Sequence, residues 1–195
     1  MTSYHALSDL AGALKRRVET APEPLRAERA QRLGRHVAEY LLPKARNLTA
    51  PLVVVLLGST GTGKSSLFNA IAGRAMSPSG LLRPTTRRPL ALAHPRDAAL
   101  LAEGDLLAGM VVRKSIDVVV DQETPSGLVI VDAPDFDSVE LSNRKLAMEL
   151  LEAADLVIFV TTVTRYADQV PWSILARAHQ RGVPLLAVIN RMPSD

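Results

Sequence analysis

The chain contains no cysteine. That excludes disulfides and thiolate metal sites, and it accords with a reducing cytoplasm. Aromatic residues are scarce, at 4% of 195 residues, which removes the stacking platforms on which single-stranded nucleic acid is held. Long apolar runs are missing too. The longest, such as Leu52–Leu57, are strand-sized and far short of the roughly 20 residues that cross a bilayer. The opening MTSYHALSDL lacks the basic start and apolar centre of a signal peptide.

What is present is ordinary for a globular protein: 47% hydrophobic and 22% charged residues. This length buries one substantial core, with one main domain and an appendage. The net charge of +3 is unevenly spread. Residues 1–50 hold nine Lys/Arg against five Asp/Glu, a balance of +4, and the remainder fourteen against fifteen, a balance of −1. The basic character therefore belongs to the N-terminal arm. Its acids and bases are interspersed, which reads as a solvated helix face; an anionic membrane or RNA is the other reading, and DNA is not expected.

Two helices are expected before residue 50. Leu7, Leu10, Leu14 and Val18 recur at helical spacing, and so do Leu33, Val37, Tyr40 and Leu41, with Pro22 and Pro24 between the two stripes. From residue 51 strands and helices alternate. Strands are expected at Leu52–Leu57, Ser115–Val120, Leu128–Val131, Leu156–Thr161 and Val183–Ile189, and helices at Lys64–Ala72, Asn143–Ala153 and 168–181. Residues 77–89, with three prolines, read as a loop, and Ala98–Leu107 as a short inserted helix. The alternation predicts an α/β fold: a three-layer sandwich around a mostly parallel sheet, preceded by a helical hairpin. The expected domains are residues 1–50 and 51–195. A sheet of this type normally continues with a further helix and strand, so the second domain is expected to be truncated at its C-terminal end.

Gly58-Ser59-Thr60-Gly61-Thr62-Gly63-Lys64-Ser65 matches G-x-x-x-x-G-K-[ST] at every fixed position, between an apolar strand and an apolar helical pattern, the context that gives the motif its meaning. Its glycines let backbone N–H groups turn inward around a phosphate. The helix that follows offers unpaired amides and a dipole that favours anions. Lys64 is expected to bridge β- and γ-phosphates, Ser65 to ligate Mg²⁺ and Ser66 to reach the α-phosphate. The run Val129-Ile130-Val131-Asp132 ends an apolar strand in an acid, the form of a carboxylate that holds the Mg²⁺ shell.

These residues resemble the translation-factor-related class of GTPases, especially its dynamin-like and Era-like branches, over residues 51–195. Gly58–Ser66 with Leu67-Phe68-Asn69-Ala70 is similar to the phosphate loop and first helix of those families. Pro84-Thr85-Thr86-Arg87-Arg88-Pro89-Leu90 resembles the dynamin switch-I signature. The resemblance implies Thr86 as a catalytic and Mg²⁺-ligating threonine, with Thr85 as the alternative. Asp132-Ala133-Pro134-Asp135 stands where the family has D-x-x-G, and Asn190-Arg191-Met192-Pro193 where it has N-K-x-D. The implied nucleotide site is thus Gly58, Ser59, Thr60, Gly61, Thr62, Gly63, Lys64, Ser65, Ser66, Asp132 and Asn190. Its implied metal ligands are Ser65, Thr86 and Asp132, and its catalytic residues Lys64 and Thr86.

Four departures bear on activity. Asp135 replaces the glycine whose N–H meets the γ-phosphate, and a carboxylate there is repelled unless it turns away or is paired. Phe136 stands where a Ras-type enzyme has its water-positioning glutamine. Gly61 is neither the asparagine nor the serine of assisted relatives. Pro193 replaces the guanine-reading aspartate, with Asp195 as a substitute if its loop folds back. Arg87 and Arg88 are either fingers across a dimer or structural neighbours of switch I. The histidines show no ligand spacing, and Trp172 reads as a packing residue. The expectation is a Mg²⁺-dependent GTPase of slow intrinsic turnover, with ATP not excluded. A recruitment module with negligible hydrolysis and an ATP-specific protein are the rivals. The resemblance further implies a homodimer through nucleotide faces, and membrane association of a full-length protein that is otherwise cytoplasmic.

Overall fold

Strand β1, Leu52–Gly58, is apolar at every position before its glycine, and from Val53 onward every residue is buried. A strand covered on both faces needs apolar side chains at odd and even positions alike. In the computed structural model, residues 2–20, 30–31, 33–34, 37, 50–77, 88–101, 110, 114–138, 140–165 and 169–192 are described.

Around β1 lies a six-stranded sheet of order β3-β2-β4-β1-β5-β6. Its other strands are β2 (Leu90–Ala93), β3 (Asp117–Val120), β4 (Leu128–Asp132), β5 (Leu156–Thr162) and β6 (Leu185–Asn190). β1 runs parallel to β4 and β5, with Leu52 opposite Leu128 and Val54 opposite Leu156, and β6 runs parallel to β5. β2 is parallel to β3 and antiparallel to β4, with Leu90 opposite Asp132. The fold is the α/β P-loop type, mostly parallel with one reversed pair.

The two faces carry separate cores, because alternate residues of β1 point opposite ways. Val53, Val55 and Leu57 join Val129, Val131, Val157 and Phe159 in the larger core, which is closed by residues from helices α4 (Leu141–Ala153) and α5 (Gln169–Arg181). Leu56 joins Ile130, Leu92 and Phe68, and Phe68 belongs to helix α2 (Lys64–Ala72) on the opposite face. Burying one such side chain contributes about 1.5–3 kcal/mol. Helix α3 (Pro95–Leu100) follows β2 and is capped by His94, whose Nδ1 accepts from Arg96 N at 3.2 Å.

Three sequence expectations change. Leu90–Ala93 is a strand that alternation did not reveal: four residues with two alanines are too short for a period to show. This strand separates β3 from β4, so those consecutive strands are not neighbours. The helix expected over Ala98–Leu107 instead begins at Pro95 and reaches Leu100, with residues 102–109 outside the described set. Trp172 is 57% exposed rather than packed; α5 buries Ile174 and Ala178, and position 172 falls on the other side of that stripe.

The chain divides into units Met1–Ala50 and Pro51–Asp195. In the first, helix α1 spans Thr2–Thr20. Residues 30–31 and 33–34 are helical, and a Cβ added to Gly34 would come within 3.6 Å of Leu14 Cβ. Gly34 thus lies against Leu14 of α1. Tyr40 and Leu41 of its expected stripe lie outside the described residues.

Candidate functional site

The site begins where β1 and β5 come closest. A Cβ on Gly58 would lie 2.2 Å from Val160 O, so only glycine lets the strand end there and the loop turn away. The loop closes on itself: Ser59 O accepts from Thr62 N at 3.3 Å and from Thr62 Oγ1 at 2.9 Å. Gly63 then starts α2 at φ 97°, in the left-handed region where side chains are strained. A Cβ there would also lie 2.3 Å from Asn190 Nδ2.

Asn190, the last residue of β6, donates from Nδ2 to Thr62 O at 2.9 Å, and its Oδ1 accepts from Arg191 N at 2.8 Å. Its side chain is thus engaged in supporting the phosphate loop. Lys64 folds back under the loop and is 5% exposed. Its Nζ donates to Gly58 O at 2.8 Å, to Ser59 O at 3.2 Å and to Asp135 Oδ1.

Asp132 ends β4 fully buried. Its Oδ2 accepts from Ser65 Oγ at 2.7 Å and from Ser77 Oγ at 2.6 Å, and its Oδ1 is buried without a hydrogen-bond partner among the described residues. Burial raises the Asp132 carboxyl above its ordinary value; the two hydroxyls and Lys64 oppose that rise, and Asp135 adds to it.

A hydroxyl and a carboxylate with an orphaned oxygen form a donor set suited to Mg²⁺, which takes oxygen ligands and keeps waters and phosphate oxygens in its shell. Among the described residues no group of three or more His, Cys, Asp or Glu forms a dedicated metal cage. The Ser65 hydroxyl and Oδ1 of Asp132 fit a cation whose remaining ligands are waters and phosphate oxygens. The cradle fits the phosphate as well: Gly61, at φ 76°, has nothing within 4 Å of an added Cβ, and Lys64 supplies buried positive charge beside it.

The structure thus brings together Gly58, Ser59, Thr60, Gly61, Thr62, Gly63, Lys64, Ser65, Asp132 and Asn190. Ser66 is exposed on the first turn of α2. Thr85, Thr86, Arg87, Pro193 and Asp195 lie outside the described residues. Arg88 is exposed and pairs with Asp117 at 3.6 Å. Phe136 is 2% exposed and stacks on Phe159 with centroids 6.0 Å apart. It is an anchor that roots the segment after β4 in the core.

Sequence reasoning missed four residues. Asp137 Oδ1 accepts from Thr60 N at 2.8 Å and from Thr60 Oγ1 at 3.0 Å, while its Oδ2 accepts from Arg165 at 3.0 Å. Asn69 Oδ1 accepts from Met76 N and Ser77 N at 2.9 and 2.8 Å, which fixes the turn that delivers Ser77 to Asp132. Asp135 and Asp137 belong to a turn closed by Ser138 N on Asp135 O at 3.2 Å, and two acids directly after the strand's own were the signal available. Asn69 stood in the sequence only as part of the family-like first helix, and Ser77 and Arg165 carried no signal.

Comparison with known proteins adds a partial family match. The model of the dynamin family matches residues 54–109. That stretch contains the loop, α2, β2 and α3, and it is part of residues 51–195, over which the sequence resembles these GTPases. No curated protein matches the chain. Among solved structures, the Era protein of Aquifex aeolicus bound to GDP and aluminium fluoride aligns at TM-score 0.49 and 19% identity, covering 72% of this chain and 40% of its own. Era in complex with MgGDPNP and a segment of 16S ribosomal RNA gives 0.48 and 17%, covering 73% and 41%. A member of an oligomerised bacterial dynamin pair gives 0.45 and 13%, covering 89% and 30%. The chain therefore spans well under half the length of these relatives.

Proposed function

We propose that the chain binds a guanine nucleotide with Mg²⁺ at Gly58–Ser65 and hydrolyses GTP to GDP and phosphate, as a switch. The observation that carries this reading is the convergence on one loop of a buried lysine, the Ser65 hydroxyl and the Asp132 carboxylate with its unpartnered oxygen. Lys64 would neutralise charge between β- and γ-phosphates, loop amides would hold the β-phosphate at the start of α2, and Ser65 with Asp132 would hold the cation. Mg²⁺, when bound, supplies charge neutralisation to the phosphate oxygens. Thr86 is carried in this reading as the further catalytic and metal-ligating residue.

Phosphate release from GTP by the full-length protein tests the reading. Lys64→Ala is expected to lower the rate by about a hundredfold or more, as losses of charge stabilisation at a transition state do. Equal rates for wild type and variant would end it. Competition of ATP and GTP for one fluorescent analogue decides the base, which Pro193 leaves unassigned.

Phe136 favours a second reading, a recruitment module with negligible hydrolysis. The side chain next to Asp135 is locked in the core, so no water-positioning group comes from it. Tight binding without multiple-turnover phosphate release, even at high protein concentration, would select this reading. Both readings include self-association through nucleotide faces and a cytoplasmic protein peripheral to the inner membrane. Nucleotide-dependent dimerisation and co-sedimentation with vesicles are their measurements.

A further inference from the structure

A lysine ammonium has three N–H donors, and Lys64 uses all three inside the protein: on Gly58 O, Ser59 O and Asp135 Oδ1. The two carbonyls are neutral. Asp135 is the one charged partner, and it fills the position that a phosphate oxygen must take if Lys64 is to hold a nucleotide. Both side chains of the pair are buried, and Asp135 Oδ2 has no hydrogen-bond partner among the described residues. The carboxylate is therefore held by the lysine on one side only.

Two residues on, Asp137 occupies the Thr60 amide and hydroxyl. One short segment thus lays a carboxylate on the lysine and another on the third residue of the loop. Neither accepts from a backbone amide of the first turn of α2, where the helix N-terminus would receive the β-phosphate. The end of the cradle that these acids occupy is the end a longer phosphate chain would have to enter. There a third phosphoryl group meets like charge in a poorly solvated place.

We infer that Asp135 is a specificity-determining residue: it acts as a resident anion at the far end of the cradle, so the site takes a nucleoside diphosphate in preference to the triphosphate. Triphosphate enters only when the segment 135–137 leaves Lys64 and Thr60. This rests on the nucleotide-binding reading above and says which phosphate chain that site selects. Phe136, between the two acids, stacks on Phe159 and roots the segment in the core.

The test is equilibrium titration of fluorescent guanosine diphosphate and of a non-hydrolysable triphosphate, each with Mg²⁺, into the full-length protein and its Asp135→Asn and Asp135→Gly variants. Wild type is expected to prefer the diphosphate by about tenfold or more, and either substitution to tighten triphosphate binding by a similar factor while moving diphosphate binding by less than about threefold. A role confined to folding would shift both nucleotides alike, and such a parallel shift overturns the inference. So does a wild type that prefers the triphosphate, an arm that needs no variant to fold. If no form binds either nucleotide, the nucleotide reading fails first; an unchanged preference in proteins that do bind removes the selectivity of Asp135 alone.

Discussion

Asp132 is kept in a place that suits its neutral form better than its charged one. Burial is the main cause of its raised pKa, with the Ser77 and Ser65 hydroxyls and Lys64 pulling the other way. Because the folded state binds this proton more tightly than the unfolded chain, stability is lost as pH rises from the ordinary carboxylate value through the raised one. Asp132→Asn removes that ionisation and keeps an oxygen for Ser65 and Ser77. In urea unfolding without nucleotide or divalent cation, the variant should equal wild type at the acid end of this window and exceed it at neutral pH. It should also lose the Mg²⁺ dependence of nucleotide binding. A variant less stable than wild type at neutral pH would show that the carboxylate is a structural asset. At this scale the loop was legible because glycine, lysine and serine at fixed spacing have few alternative uses. The loop partners of Asp135 and Asp137, Lys64 and Thr60, were not, since they lie 71 and 77 residues away in the chain.

Helix α2 is fastened chiefly by one side chain. Of its nine residues only Lys64 and Phe68 are buried, and Phe68 is wholly enclosed with Leu56, Leu92 and Ile130. Lys64 serves the loop, so the apolar anchoring of this helix rests chiefly on Phe68, with partly buried Leu67 and Ala72 beside it. Phe68→Ala should destabilise the protein by about 3–5 kcal/mol and Phe68→Leu by less, measured by chemical unfolding. The alanine variant should also weaken nucleotide binding beyond what lost stability explains, because the start of α2 is one wall of the cradle. Helices and long strands were readable from their periods: α2 runs over Lys64–Ala72 as expected, and β5 over Leu156–Thr162 differs from expectation by one residue. β2 was not readable. Its place between β3 and β4 is set by pairing across the sheet, which no local pattern encodes.

Over the whole sheet, covering is uneven. β1 is enclosed, whereas the edge strand β6 exposes Leu186 and Ile189 at 54% each, along with Leu185. An exposed apolar edge strand is a template for pairing with another chain. Leu186→Lys is expected to raise the concentration at which this chain, as the 195-residue polypeptide, begins to associate, with light scattering as the measure and its melting temperature nearly unchanged. Unaltered association would place the contact elsewhere. The reversed strand β2 has a different consequence. Because Leu90 faces Asp132 in antiparallel register, the chain enters β2 at the same spot where it departs from β4. Residues 88–89 and 133–138 therefore share one gatepost. Asp132 therefore stands next in the chain to one segment and across the strand pair from Leu90, which follows the other, with no close-packed interior between.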